Sequence, residues 1–230
     1  MAIVPQNSDA FLREVDDELR RSRMAGFWRR WGIAVAVAAV LVLAVAGGLL
    51  WWRHNRTVQA GVDSERMVAA LDAVERGDLP AAAPALDALA KSPRDGISGA
   101  ARLTAADVAF SRGDRAAALA AYVAIAGDAD LPAPFRDAAL IRQTLIDFDT
   151  VPPATVIARL KPLAVAGKPW FGSAAELTGM AHVKAGQLAQ AGPIFAAIAA
   201  DAQVPDSLRR RAVQMAGALG VDASMGEEEQ

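Results

Sequence analysis

Histidine and cysteine supply many of the side chains that bind metals or transfer protons near neutral pH. The 230-residue chain contains two histidines, His54 and His182, and no cysteine. His54 follows Trp52 and Arg53 at the edge of a long apolar stretch, where we expect contact with lipid. His182 lies four residues before Gly186, at a position where paired helices pack an amphipathic side chain. We therefore expect neither histidine to be catalytic or to bind a metal.

Carboxylates could act as general acids or bases if two of them faced one site. Asp128 and Asp130 precede one proline, and Asp147 and Asp149 precede two, so both pairs are predicted to form turns. The sequence has no Gly-x-Ser-x-Gly elbow, phosphate-binding loop or His-Glu-x-x-His motif. We predict that the chain is not an enzyme and has no catalytic, cofactor-binding or metal-binding residues.

The distribution of charge argues against a nucleic-acid-binding protein. Residues 1–30 contain six Lys/Arg and five Asp/Glu, a net charge of +1, and residues 53–230 contain 18 and 21, a net charge of −3. Neither part has the concentrated basic surface that binds phosphate backbones. We expect no nucleic-acid partner.

One long apolar stretch dominates the amino-terminal part of the chain. Residues Gly32 to Leu50 carry no charge and are bracketed by Trp31 and Trp51-Trp52. A helix rises about 1.5 Å per residue, so the distance from Trp31 to Trp52 is about 31 Å, close to the roughly 30 Å hydrocarbon thickness of a bilayer. Tryptophan is enriched at both membrane interfaces. The pattern predicts one transmembrane helix over residues 32–52.

Arginines next to this stretch predict its orientation. Five lie on its amino-terminal side between Arg20 and Arg30, and only Arg53 and Arg56 lie directly beyond it. By the positive-inside rule, residues 1–31 form a cytoplasmic arm, which includes a short amphipathic helix that could contact lipid or protein. Residues 53–222 would then be a periplasmic domain of a bacterial inner-membrane protein. Residues 223–230, with Glu227–Glu229, are expected to be a disordered acidic tail.

A cleaved signal peptide is the alternative to a retained anchor. Ala44-Val45-Ala46 resembles a cleavage site at the end of an apolar run. Against cleavage, the region before the run is long and acidic, and the run continues through Trp52. We predict retention, and a mature protein that begins at Gly47 would contradict this prediction.

Beyond the span, the breaks between helical segments recur at regular intervals. The alignment starts from a turn residue, Gly77, Gly113, Val151 or Gly186, at intervals of 36, 38 and 35 residues. Each turn residue is followed by a small residue or valine at +5 and by large apolar residues at +9 and +12. The four sets at +5, +9 and +12 are Ala82, Leu86 and Leu89; Ala118, Tyr122 and Ile125; Val156, Leu160 and Leu163; and Ala191, Phe195 and Ile198.

This spacing is typical of stacked helical hairpins. A turn glycine can adopt the left-handed conformation that closes one helix, and a small residue at +5 lets the two helices approach closely. Hairpins of this kind bury their faces only against neighbours, so they form a solenoid. The last apolar stripe, with Leu208, Ala212, Met215 and Leu219, has Arg209–Arg211 on its other side and is predicted to be a terminal cap.

The period and the spacing at Gly113, Ala118 and Tyr122, and at Gly186, Ala191 and Phe195, resemble tetratricopeptide repeats. Gly179, seven residues before Gly186, matches the small residue that such repeats carry there. The resemblance implies an all-α fold with a right-handed solenoid of about four hairpins after the transmembrane helix. It also implies protein partners.

The overall layout is similar to the ancillary SecYEG translocon subunit family. The similarity lies in the charged arm, the run from Phe27 to Gly32, the single span and the degenerate repeats. It implies assistance in the export or chaperoning of newly translocated proteins, with the export channel, a periplasmic chaperone or nascent exported chains as partners. Two alternatives stay open: a scaffold for division or cytochrome maturation, and a secreted peptide-binding protein cleaved near Ala46.

Four aromatic residues are candidates for a binding groove: Tyr122, Phe148, Trp170 and Phe171. Aromatic residues at helical spacing are more often part of a core than of a binding site. We therefore assign none of them to a site.

Overall fold

The structure, a computed structural model, describes the backbone of residues 7–223 and the side chains of residues 29–223 except 35 and 39. Within that part of the chain every regular element is an α-helix, which confirms the predicted all-α class. The predicted acidic tail and the side chains of the amphipathic arm lie outside the described residues. The helices are α1 Asn7–Glu75, α2 Leu79–Leu89, α3 Asp95–Ser111, α4 Arg115–Ala126, α5 Ala133–Asp147, α6 Pro153–Leu160, α7 Phe171–Lys184, α8 Leu188–Ala200 and α9 Asp206–Ala218.

The chain divides into two compact units, one up to Val62 and one from Asp63. In the first unit, the apolar part of α1 presents its large side chains to the surroundings: Ile33 is 84% exposed and Leu50 is 68% exposed. Among the described residues, α1 is the one helix long and apolar enough, by length and composition, to cross a membrane. At the end of this stretch the guanidinium of Arg56 lies 4.1 Å from the centroid of the Trp52 ring.

The second unit is a succession of helical hairpins. The end of α1 pairs with α2, α3 with α4, α5 with α6, and α7 with α8, and α9 packs on α8. From α2 onward, helices that follow each other in sequence pack together, and α5 also contacts α3 and α7. Contacts that link consecutive helices and adjacent hairpins are the arrangement expected of a repeat stack.

Three of the four hairpins close through the predicted glycine. Gly77, Gly113 and Gly186 have φ angles of 75°, 84° and 73°. In each turn the residue after the glycine donates its N–H to the carbonyl five positions earlier, as from Asp114 to Ala109 at 3.0 Å. This is the pattern of a Schellman motif. The first two turns also carry an aspartate N-cap, since Asp78 and Asp114 accept from the N–H groups of Ala81 and Ala117.

The predicted repeat positions form the interior of the stack. All twelve side chains at +5, +9 and +12 are buried, and none is more than 7% exposed. They belong to four apolar clusters spread along the unit. The alignment is thereby confirmed for all four hairpins, including the third, which lacks a turn glycine.

The third hairpin ends its first helix without a left-handed residue. No non-glycine residue with a positive φ occurs between residues 7 and 223, and the N–H groups of Thr150 and Val151 both donate to the Asp147 carbonyl at 3.0 Å. Side chains from both neighbouring hairpins supply further donors. Arg115 Nη2 donates to the Ile146 carbonyl at 2.8 Å, and Lys184 Nζ donates to the carbonyls of Phe148 and Asp149 at 3.0 and 3.1 Å. Basic groups near a helix carboxyl end are also favoured by the helix dipole.

Two expectations about helix faces are wrong. The helical spacing of Val62, Met67, Val68, Leu71 and Val74 in the stretch from Asn55 to Arg76 predicts that these residues are buried. Met67 is buried as predicted, but Val68 and Leu71 are 57% and 40% exposed, and Ala70 and Ala73 are buried in their place. The alanines allow α1 to pack closely in the cluster with Ala82 and Leu86, and Val68 and Leu71 then face outward.

The terminal helix α9 differs from its prediction in one residue. Leu208 and Ala212 are buried as predicted, and Ala216 joins them. Arg209, expected on the solvent side, is 2% exposed, and its guanidinium bonds the Asp206 carboxylate one turn earlier. This local bond lets a charged side chain lie inside the stack.

Candidate functional site

The two histidines lie in different units of the chain. His54 is exposed in the first unit, and His182 is half-buried in α7 with its Nδ1 2.7 Å from Gln187 Oε1. Over the side chains that the structure describes, no group of three or more His, Cys, Asp or Glu is placed to hold a metal ion. The histidines therefore provide no starting point for a site.

The two acidic pairs have different roles. Asp128 Oδ1 accepts from the Asp130 N–H at 3.1 Å, which confirms the predicted turn, and its Oδ2 lies 2.6 Å from Arg102 Nη1. The hydrogen bond from Arg102 lowers the pKa of Asp128. Asp147 ends α5 as predicted. It also has a role beyond the turn, because its side chain is 8% exposed and forms an ion pair with Arg159. The carboxylates of Asp128 and Asp147 therefore both bind arginine side chains of the fold.

The four aromatic candidates do not form one groove. Tyr122 and Phe171 are buried, at 2% and 5% exposure, as expected of core residues. Trp170 packs on two different apolar clusters, and the half-buried Phe148 has the ammonium of Lys184 5.3 Å from its ring centroid.

A cleft lies instead where α3, α4 and α5 meet, and we call it the α3–α5 cleft. Its volume is about 290 Å³. Two large apolar side chains on its walls reach solvent: Phe110 of α3 is 44% exposed and Leu145 of α5 is 57% exposed. The seven lining residues are Asp107, Phe110, Arg115, Tyr122, Arg142, Leu145 and Ile146.

The polar groups of one wall bond to each other. The Tyr122 hydroxyl donates to Asp107 Oδ1, and Arg142 Nη1 lies 3.3 Å from Asp107 Oδ2. Burial and, second, the hydrogen bond to Asp107 raise the pKa of Tyr122 well above its usual value. The phenol is therefore neutral at physiological pH, and one of the two arginines of the cleft is neutralised by Asp107.

The second arginine has a neutral partner. Arg115 Nη2 donates to the Ile146 carbonyl at 2.8 Å, and its guanidinium lies 6.0 Å from the centroid of the Phe110 ring. Among the described residues no carboxylate lies within ion-pair distance of Arg115. A guanidinium has five N–H donors, so most of them are available at the rim of the cleft.

The exposed apolar wall recurs along the stack. Leu145 lies six residues before Val151, and the same position in the other hairpins is occupied by Leu71, Asp107 and Met180. Leu71 and Met180 are 40% and 39% exposed, so three of the four residues are large apolar side chains that reach solvent. We call these three residues the apolar ladder.

The sequence prediction missed Phe110, Arg115, Arg142 and Leu145. A signal for Leu145 was present, because the same repeat alignment read backwards from the turns places apolar residues six positions before three of them. No pattern in the sequence indicated the two arginines, whose positions depend on contacts between hairpins.

The chemistry of the cleft is that of binding. A volume of about 290 Å³ lies just below the roughly 300–1,000 Å³ of small-molecule sites, so the cleft has room for one or two amino-acid side chains. The cleft is lined by two solvent-facing apolar side chains, a neutral phenol, a paired carboxylate and two guanidiniums. The Tyr122 hydroxyl, which donates to Asp107, belongs to a residue that is 2% exposed, and its raised pKa keeps the proton on the phenol.

Comparison with known proteins agrees with the hairpin architecture. No curated protein and no solved structure gave a match to the sequence. The sequence model of one family, described as a tetratricopeptide repeat-like domain, matches residues 25–216, which include the apolar stretch of α1 and all four hairpins. Tetratricopeptide repeat-like domains are typically non-catalytic interaction modules. The chain belongs to the tetratricopeptide repeat-like domain family.

Proposed function

We propose that the protein is a membrane-anchored protein-interaction module that assists the export or chaperoning of newly translocated proteins beside the SecYEG channel. The observation that carries this proposal is the presence, in one chain, of a long apolar helical stretch with exposed side chains and a repeat domain with an exposed apolar ladder. The first supports a position in a membrane, and the second supports binding to other polypeptides.

The exposed apolar stretch supports the anchor. Large solvent-exposed apolar patches mark surfaces that contact a membrane or a partner. Burial of apolar surface is worth about 25 cal/mol per Å², so the exposed large apolar side chains of α1 are stabilised when lipid surrounds them in place of water. The family match begins at residue 25, before Gly32, so this stretch is part of the matched domain.

The flanking arginines support the orientation. Arg29 and Arg30 continue the amino-terminal basic cluster, and Arg53 and Arg56 are fewer in number on the other side. The positive-inside rule then puts the repeat domain in the periplasm of a bacterial inner membrane. A binding domain held there is close to polypeptides as they leave the channel.

The apolar ladder supports a role with unfolded chains. Newly exported polypeptides are not yet folded and expose the apolar side chains that a folded protein buries. Leu71, Leu145 and Met180 are exposed and can bury apolar side chains of a bound polypeptide. Such contacts do not require a specific sequence motif in that polypeptide. The expected partners are the export channel, nascent exported chains and a periplasmic chaperone.

Co-purification tests this proposal. After crosslinking in cells and mild solubilisation, the tagged full-length protein should bring down the export channel. Recovery of the protein without any channel component would contradict the export role. Recovery with division or cytochrome-maturation proteins would instead support the scaffold alternative, and a soluble mature form beginning at Gly47 would show that the protein is secreted.

A further inference from the structure

We propose that the α3–α5 cleft binds an extended polypeptide segment that places an apolar side chain between Phe110 and Leu145 and a neighbouring acidic side chain against Arg115. This deepens the proposed function, on which it rests, by naming the chemistry of the segments that are bound. The proposal combines three observations: an open apolar cleft, a cation at its rim, and the absence of a carboxylate partner for that cation in the described part of the chain.

The apolar part of the proposal follows from exposure. Phe110 and Leu145 are on different helices, line the same cleft and remain 44% and 57% exposed. A side chain inserted between them would remove apolar surface from water on three groups at once. The cleft volume of about 290 Å³ limits the insertion to one or two side chains.

The acidic part follows from charge. Arg142 is paired with Asp107, whereas Arg115 is bound by a backbone carbonyl. The cleft therefore carries two guanidiniums and one carboxylate, a surplus of one positive charge. Hydrogen bonds from arginine to a carboxylate are about twice as strong as those between neutral groups. A glutamate or aspartate beside the inserted apolar residue would satisfy Arg115.

The pairing also predicts selectivity. A lysine or arginine beside the apolar residue would lie close to the surplus positive charge, and like charges in contact are disfavoured. A neutral glutamine would leave the apolar contact and remove only the charge-assisted bond. Acidic, neutral and basic peptides are therefore expected to bind in this order of decreasing affinity.

Binding of short synthetic peptides tests the proposal. Fluorescently labelled peptides with alternating Leu and Glu, Leu and Gln, Leu and Lys, or Ser and Glu are titrated with the full-length protein in detergent micelles. Fluorescence polarisation gives Kd. We expect the Leu/Glu peptide to bind about tenfold more tightly than the Leu/Gln peptide, and the Leu/Lys and Ser/Glu peptides to bind most weakly.

Three substitutions and one control locate the binding. Leu145→Ser should raise the Kd of the Leu/Glu and Leu/Gln peptides about tenfold. Arg115→Gln should abolish the preference for Glu over Gln, and Arg115→Lys should restore part of it, since Lys keeps the charge. Val123 is a matched control because it is 48% exposed and does not line the cleft, so Val123→Ser should leave every Kd unchanged. Circular dichroism confirms that each variant is folded.

Several outcomes would overturn the proposal. These are equal affinity for the Glu and Lys peptides, an unchanged preference in folded Arg115→Gln, and an equal effect of Val123→Ser. A truncation after Ala223 that binds peptide much more tightly would show that the cleft is occupied by the chain's own end. Self-association through Leu145, detected by analytical ultracentrifugation of the full-length protein, would show that a second copy occupies the cleft.

The failures of the two proposals are distinguishable. The peptide titration contains no export channel, so its failure while the channel still crosslinks in cells would remove the cleft assignment alone. Peptide binding without any channel crosslink would remove the export role alone.

Discussion

Arg159 Nη1 lies 2.7 Å from Asp147 Oδ1 and 3.0 Å from Asp147 Oδ2, with the two side chains 16% and 8% exposed. The ion pair joins α6 to the end of α5. The Arg159 guanidinium also lies 3.3 Å from the hydroxyl of Thr144, which is fully buried. This hairpin is the one without a turn glycine, so the pair is a second means of holding its two helices together.

Removal of Asp147 is predicted to destabilise the repeat domain strongly. Asp147→Ala leaves the Arg159 charge largely buried without its carboxylate, and the loss of one partner of a buried ion pair costs about 3 kcal/mol. Urea unfolding of the full-length protein in micelles, followed by circular dichroism, measures this change. Asp149→Ala is the matched control because the Asp149 side chain is 95% exposed, and its pair with Lys184 should contribute little. Equal effects of both substitutions would contradict the structural role of the Asp147 pair.

Gly179 is predicted to be intolerant of even a methyl group. A Cβ added at Gly179 would lie 2.8 Å from Cζ and 2.9 Å from Cε2 of Phe195, a ring that is 1% exposed. Overpacking a core costs about 1–3 kcal/mol, which exceeds the helix propensity of about 1 kcal/mol that alanine gains over glycine. Gly179→Ala should therefore lower the free energy of unfolding by about 1 kcal/mol.

Two variants test that explanation. Gly217, in α9, has no atom within 4 Å of an added Cβ, so Gly217→Ala should leave the protein at least as stable. In a Phe195→Leu background, where the ring is absent, Gly179→Ala should lose its destabilising effect. A persistent loss in that double variant, measured by the same urea titration, would show that contact with Phe195 is not the cause.

The hairpins could be predicted from sequence because their positions repeat. The residues at +5, +9 and +12 depend on helix spacing, which recurs in all four hairpins, and the turn glycines depend on a local backbone geometry that recurs in three of them. Gly179 could be predicted for the same reason, since its close approach to Phe195 is a contact within one hairpin.

Contacts between hairpins could not be predicted in this way. Arg115 reaches the carbonyl of Ile146, 31 residues later, and nothing in either local sequence specifies that pairing. The burial of Arg209 and the outward position of Val68 depend on the rotation of each helix against its neighbours. Such rotations are decided by packing, which is a property of the whole stack.

Tyr122 is predicted to lower stability at alkaline pH. Burial and the bond to Asp107 raise its pKa, so the folded protein keeps the phenol proton when an unfolded chain loses it near pH 10, the usual value of about 10. Above that pH the unfolded state binds fewer protons, and stability from this group falls as pH rises. Below it both states are neutral and the group contributes no pH dependence.

The chain makes this prediction easy to measure, because Tyr122 is its only tyrosine. The phenolate absorbance of the folded protein should appear only above the usual titration range of tyrosine. Tyr122→Phe should lose about 1 kcal/mol near neutral pH with the hydroxyl bond and show a weaker decline in stability at alkaline pH. Phenolate absorbance at the normal pKa in the folded protein would contradict the buried, hydrogen-bonded hydroxyl.

Site-specific photocrosslinking in growing cells tests the central claim most directly. A photoreactive phenylalanine analogue is placed at Leu145 in the α3–α5 cleft, and at Val123 and Leu188 as exposed controls, and the captured proteins are identified by mass spectrometry. The analogue at Leu145 should capture exported polypeptides or export-channel subunits, and both control positions should capture far less. Equal capture of unrelated proteins from all three positions, or no capture from Leu145, would contradict it.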